Sequence, residues 1–277
     1  MQMSPNRVPF VKMHGLGNDF VVLDGRVDAL PAIDAQLAAA LADRHTGIGC
    51  DQLILLERSA IADLKMRIFN ADGSEVEACG NATRAVGLLH GKAARIETAG
   101  GIVAAAPDAA GIAVDMGVPR FAWETIPLAY ALDTLSMPVG WEALETPVAV
   151  NVGNPHAVFF VDDCDAVDLA RLGPLIERDP LFPERVNVNV ATVTSRAAIR
   201  LRVWERGAGL TLACGTGACA TAVAAMRRGL TERTVTVTLP GGPLRIAWGE
   251  DQRITMTGPA SEAFRGSFDP AAYGASA

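Results

Sequence analysis

No stretch of this sequence stays apolar long enough to cross a bilayer. The longest uncharged helical run, Leu210–Met226, stops short of the roughly 20 residues required and is loaded with Gly and Thr. The opening residues, MQMSPNRVPFVKMHG, hold no apolar stretch of signal-peptide length and no small-residue cleavage pattern, so a cytoplasmic protein is expected. Positive charge is also short. The 24 Lys+Arg against 31 Asp+Glu leave a net charge of −7, which removes the long-range attraction that nucleic acid or anionic lipid would need. Neither nucleic acid nor membrane is expected as a partner. Cysteine is present in an odd number, at Cys50, Cys79, Cys164, Cys214 and Cys219, with no C-x-x-C, and the four histidines form no H-x-H or H-x-x-x-H. Cys214 and Cys219 are five apart, which on a helix points them about 140° from each other. No metal site and no disulfide framework is expected, and reduced thiols are the simplest reading.

What is present is length and apolar content. A chain of 277 residues with 50% hydrophobic residues suits two domains, each with its own core. Hydrophobic period places strands near 8–12, 20–24, 52–56, 65–69, 95–98, 102–106 and 112–116, with helices at 35–43, capped by Asp34, and 81–90. The second half repeats this texture. Its strands are expected near 148–152, 157–161, 186–194, 199–205, 234–239, 244–248 and 253–257, and its helices near 169–177 and 217–228.

Specific residues repeat as well. Arg67-Ile-Phe-Asn70 falls on Arg202-Val-Trp-Glu205, and Ala78-Cys79-Gly80 falls on Ala213-Cys214-Gly215, at one offset of 135. Gly17-Asn18 falls on Gly153-Asn154 at 136, and Gly100-Gly101 on Gly241-Gly242 at 141. The chain therefore reads as a tandem duplication of one α/β unit. Strand patterning lapses around Pro119–Pro127, which puts the expected domains at 1–122 and 123–264, with the tail 265–277 packing back on the first.

In each repeat Ala-Cys-Gly leads directly into a small-residue helix. A cysteine there sits at the positive end of the helix dipole, where a thiolate is stabilised. The helix-start amides around Gly80-Asn81 and Gly215-Thr216 would also hold a carboxylate. An isolated cysteine in this place is ordinarily just a small packing residue; its repetition favours chemistry. Two equivalent thiols suit inversion of a carbon centre, which needs a base on one face, an acid on the other, and exchange of roles when the substrate enters in the opposite configuration. Such a pair titrates as a coupled system.

At these residues the chain resembles the diaminopimelate epimerase family, on KMHGLGNDF (12–20), DRHTGIGCDQL (43–53), RIFNADGSEVEACGNATR (67–84), GNPH (153–156), ERVNVN (184–189), ERGAGLTLACGTGA (205–218) and LPGG (239–242). The resemblance implies an α/β (α+β) fold of two pseudo-symmetric domains, each a mostly antiparallel curled sheet around a central helix. It also implies a homodimer and an epimerase that uses no pyridoxal phosphate or other cofactor. Its substrate would be diaminopimelate, interconverted between the LL and meso forms in lysine and peptidoglycan precursor synthesis. Residue by residue, Cys79 and Cys214 match the acid/base pair. Asn18 and Gln52 match the holders of the reacting ammonium, and Gly80, Asn81, Gly215 and Thr216 the holders of its carboxylate. Asn70, Asn154, Asn187, Glu205 and Arg206 match a cradle for the distal zwitterion, where a guanidinium clamps a carboxylate. His156 and Glu205 match residues that tune the cysteines. His156 after Pro155 equally fits a structural histidine, and Glu205-Arg206 alone reads as a surface ion pair. Cys50 stands where relatives usually carry an aromatic or aliphatic residue, which raises a third thiol near the site. The alternatives are a proline racemase or hydroxyproline epimerase of the same fold, and a non-catalytic amino-acid binding or thiol redox protein.

Overall fold

The computed structural model describes residues 7–77 and 79–273. The chain divides into two compact units, one made of the chain up to Val114 together with the segment from Pro259 on, the other of Asp115–Gly258.

The first unit runs β1 (Val8–Gly15), β2 (Asn18–Asp24), α1 (Ala35–Ala42), β3 (Gln52–Glu57), β4 (Leu64–Asn70), β5 (Glu75–Val76), α2 (Gly80–His90), β6 (Ala94–Thr98), β7 (Gly101–Asp108) and β8 (Gly111–Asp115). The second opens with a small hairpin, β9 (Gly140–Trp141) and β10 (Leu144–Glu145). It continues β11 (Val148–Asn151), β12 (Pro155–Phe160), α3 (Leu169–Glu177), β13 (Asn187–Ser195), β14 (Ala198–Glu205), β15 (Gly209–Thr211), α4 (Gly215–Arg227), β16 (Thr234–Leu239), β17 (Gly242–Trp248) and β18 (Ile254–Gly258). A last strand, β19 (Ser261–Phe268), pairs antiparallel with β1.

Strand pairing repeats element for element. In the first unit every neighbouring pair is antiparallel except β2/β3 and β4/β6. In the second, every pair is antiparallel except β12/β13 and β14/β16, which occupy the same places in the order. Each first parallel pair is joined through a helix, α1 or α3, as parallel neighbours require. This shared order makes the molecule a mixed α/β protein of two repeated domains.

The second helix of each unit is the one its sheet wraps. In α4 the buried residues run Gly215, Gly217, Ala218, Cys219, Ala220, Thr221, Ala222, Val223, Ala224 and Ala225, nearly the whole circumference, and the helix touches β11–β14 and β16–β18. A helix apolar all round has to be enclosed, and side chains this small let strands approach from several sides. Both helices begin earlier than their glycines suggest, at Gly80 and Gly215, because the preceding cysteine caps the first turn and outweighs the low propensity of glycine. Separate apolar cores fill the units, around Leu23, Leu41, Leu53 and Phe69 in one and Leu144, Phe159, Ile176 and Val188 in the other.

Four features were not visible as periods. β5, β15 and the β9/β10 hairpin are two or three residues long. β19 is mostly exposed and shows no clean alternation; its partner β1 lies at the opposite end of the chain.

Helix α3 lies close on β14 at Gly173, where a Cβ would sit 2.5 Å from Trp204 ring carbons. Gly173→Ala forces ring or helix to shift, at a cost of about 1–3 kcal/mol. Urea denaturation followed by tryptophan fluorescence is expected to show a lowered midpoint with an unchanged m-value.

Candidate active site

Cys79 and Cys214 are the N-caps of α2 and α4. Both have extended backbone, φ −146° and −124°, and each sulfur accepts a first-turn amide, Ala82 N–H at 3.5 Å and Gly217 N–H at 3.3 Å. Sulfur thus occupies the position where serine, threonine or aspartate normally satisfies the helix start. The closer approach at Cys214 requires glycine at 217, because a Cβ there would lie 3.1 Å from Cys214 Sγ and 3.0 Å from a Val203 methyl.

In the first unit, Asn18 follows the turn at Gly17, whose φ of +92° favours glycine. Asn18 Nδ2 donates to Asp51 at 2.9 Å. Its Oδ1 therefore faces Cys79 Sγ, at 4.0 Å, and accepts from Asn81 Nδ2 at 3.1 Å. Asp51 is held in turn by Arg44, at 2.7 Å, which also pairs with Asp19 at 2.7 Å; Lys12 lies 2.5 Å from Asp19 and donates to the Gly49 carbonyl. Burial pushes the Asp19 carboxyl up, but Arg44 and Lys12 outweigh it and hold it well below the usual carboxylate range. Next to this group, Gln52 Nε2 donates to Asn70 Oδ1 at 3.1 Å, and Gln52 Oε1 is buried with no hydrogen-bond partner among the described residues.

In the second unit, Cys214 is 3% exposed. Its sulfur lies 3.5 Å from Thr216 Oγ1 and hydrogen-bonds the Glu205 carboxylate, which is steadied by Thr211 Oγ1 at 2.6 Å. Burial first, and the Glu205 charge second, push the Cys214 thiol well above its ordinary value. A helix N-terminus contributes about 0.3–1 kcal/mol, less than the roughly 1.4 kcal/mol of a single pKa unit. It does not offset both, so Cys214 rests protonated.

Arg206 donates to the Glu184 carbonyl at 2.9 Å and makes no carboxylate ion pair among the described residues, which leaves guanidinium N–H groups for a ligand. Asn187 is buried, accepting from Arg206 N–H at 2.9 Å and donating to the Pro155 carbonyl at 2.8 Å; these bonds fix the Arg206 backbone and leave the second amide hydrogen of Asn187 for a ligand. His156 is fully buried, with Nδ1 3.2 Å from Asn189 and Nε2 2.9 Å from Asn154. Burial lowers it to about 4.

The sequence-level candidates thus gather as two groups. Asn18, Gln52, Asn70, Cys79, Gly80 and Asn81 lie in the first unit; Asn154, His156, Asn187, Glu205, Arg206, Cys214, Gly215 and Thr216 lie in the second. Cys50 is in neither: it packs in the apolar core and burial raises its thiol to about 11. Arg44, Asp51, Thr211 and Asn189 were given no role, although all four lie inside the motifs that carry the family resemblance; Asn189 left a second signal in the N-V-N alternation that puts 187 and 189 on one strand face.

The family model described as diaminopimelate epimerase matches residues 10–122 and 148–262. The chain belongs to the diaminopimelate epimerase family. The diaminopimelate epimerase of Erythrobacter litoralis is 70% identical over 95% of this chain and 98% of its own length. That of Rhizorhabdus wittichii is 64% identical over 97% and 98%. Among solved structures, a Bacillus anthracis phenazine biosynthesis protein of the PhzF family superposes with a TM-score of 0.70 at 16% identity, covering 96% of this chain and 99% of that one. A hydroxyproline epimerase from Agrobacterium vitis gives 0.65 at 16% identity, covering 97% and 92%. These two share the fold.

The surroundings of Cys214 set the proton affinity of its sulfur. Glu205→Gln removes the like charge and is expected to lower the Cys214 thiol pKa, read as thiolate absorbance near 240 nm against pH with Cys214→Ser as the blank. His156 gives a stability signature. Its folded value of about 4 lies below the ordinary 6.5, so the unfolded chain binds more protons between those pH values and stability falls as pH drops from 6.5 towards 4, by up to about 3 kcal/mol. His156→Gln is expected to flatten that part of the urea-midpoint profile.

Proposed function

We propose that this protein interconverts LL- and meso-2,6-diaminoheptanedioate by two-base proton transfer, with Cys79 and Cys214 as the acid/base pair. The observation that carries the reading is the occurrence of a cysteine N-cap on the enclosed helix of both repeats of a chain in this family. Substrate identity comes from the names of the relatives; the residues supply the chemistry.

Carbon–hydrogen bonds next to an ammonium and a carboxylate are poor acids, so developing negative charge must be met by donors already in place, each worth roughly 10²–10³ in rate. The first-turn amides at Gly80-Asn81 and Gly215-Thr216 supply them. The reacting ammonium goes to Asn18 Oδ1 and Gln52 Oε1. Gln52 Oε1 supports this, since a buried acceptor without a donor costs about 1–3 kcal/mol until one arrives. At the distal end Arg206 takes the carboxylate, with Asn70 and Asn154 adding polar contacts.

In one direction the Cys79 thiolate removes the α-proton, and the Cys214 thiol, kept protonated by burial and Glu205, returns a proton to the other face. Cys79 is left as thiol and Cys214 as thiolate. The reverse direction exchanges the roles, and proton exchange with water restores the starting form. Glu205 then acts as a positioning residue for Cys214. The enzyme acts in the cytoplasm as a homodimer and needs no cofactor.

A proline racemase-like activity is the competing reading on the same fold. Arg206, with no carboxylate partner among the described residues, favours the two-ended substrate, because a one-ended amino acid leaves it unused. In D₂O the meso isomer is expected to gain deuterium at its α-carbon, while L-proline does not. Cys79→Ala and Cys214→Ala each remove the wash-in by at least about 10³-fold. Deuterium incorporation that survives either substitution, or that occurs only with proline, overturns the reading.

A further inference from the structure

Asn189 lies on β13 two residues beyond Asn187, and no part of it reaches solvent. Its Nδ2 donates to the Gly217 carbonyl and to Thr221 Oγ1, both at 3.0 Å and both on α4. Those contacts use both amide hydrogens, so Oδ1 is the end that faces His156 Nδ1, at 3.2 Å. His156 has its other nitrogen 2.9 Å from Asn154 Oδ1 as the carboxamide is placed.

A neutral imidazole carries one N–H. With an obligate acceptor at Nδ1, the proton sits there and Nε2 presents a lone pair. Asn154 must then offer Nδ2 to the ring, an arrangement reached by a half-turn of its carboxamide that leaves the shape unchanged. Its oxygen consequently points away from the ring. The only other solution is an imidazolium donating to two oxygens. A fully buried cation between two neutral amides, with Arg206 adding positive charge, is unfavourable.

The first repeat supports the same outcome by different means. There the turn asparagine is Asn18, and its nitrogen is taken by Asp51 at 2.9 Å, leaving its oxygen to face the site. Strand register places Phe20 and Ile54 where the second repeat has His156 and Asn189. With the Asn154 carboxamide turned over, each repeat would hold its turn asparagine by nitrogen and present oxygen.

We propose that Asn189 is a positioning residue: it holds the His156 ring in the Nδ1–H form, which turns the Asn154 oxygen toward the distal ammonium of the substrate. The role in substrate binding rests on the epimerase reading; the ring tautomer does not.

Two experiments on the full-length protein test it. Long-range ¹H–¹⁵N correlation of enzyme labelled at its four histidines, with His156→Gln to identify the signal, is expected at pH 7 to show Nδ1 protonated and Nε2 bare. An Nε2–H ring, or a doubly protonated one, overturns the proposal. In steady-state assays with the meso isomer, Asn189→Leu is expected to raise KM about tenfold with kcat within about twofold. A loss confined to kcat, or an unchanged KM, marks a merely structural asparagine and sinks the idea. Absence of turnover in the unaltered protein counts against the epimerase reading alone, while the tautomer measurement still decides the His156–Asn189 pairing without substrate.

Discussion

A sulfur atom closing the first turn of an enclosed helix is the interaction on which the rest of the molecule depends. To sit there, a thiol needs extended backbone behind it, small residues ahead of it and strands near enough to exclude water. Cys214 has all three, with the Gly217 N–H on the sulfur and Val203 packed beside Gly217. The wrapped sheets and alanine-rich helix are the means of presenting a reactive atom that is part of a hydrogen-bonded cap and so cannot wander.

Duplication then explains how one scaffold serves two different tasks. Main-chain pairing is the same in both repeats, yet the side chains on equivalent strand positions have diverged. Asn70 of the first repeat is Glu205 in the second, so Cys214 faces a carboxylate while Cys79 faces the amide oxygen of Asn18. At Cys214 the neighbouring carboxylate favours the protonated thiol. The asymmetry that a base and an acid need arises at side chains and leaves the backbone alone.

Much of this was legible in the sequence, for local reasons. The helix starts at Cys79 and Cys214, the glycine turns before Asn18 and Asn154, and the repeat itself depend on residues close together in the chain. Motifs that resemble a family supplied Gln52, whose unpartnered buried oxygen would not have been guessed from a strand-start glutamine. What stayed hidden depends on cross-strand register. Arg44 and Asp51 look like ordinary surface charges until Asp51 is seen gripping Asn18 and Arg44 holding Asp51. The hold of Asn187 on the Arg206 backbone and the Pro155 carbonyl also emerges only from strand register. β19 offers no clean period of its own, and β1 supplies its pairing.

The registers Phe20↔Gln52↔Asn70 and His156↔Asn187 run straight across neighbouring strands. Side chains in such a row share one face and move to the other together if pairing slips by a residue. Ladder bonds, being main-chain, are indifferent to which side chain a rung carries. Evolution could therefore rewrite those rungs one letter at a time, trying new polar partners for the sulfur without ever renegotiating the architecture that displays it.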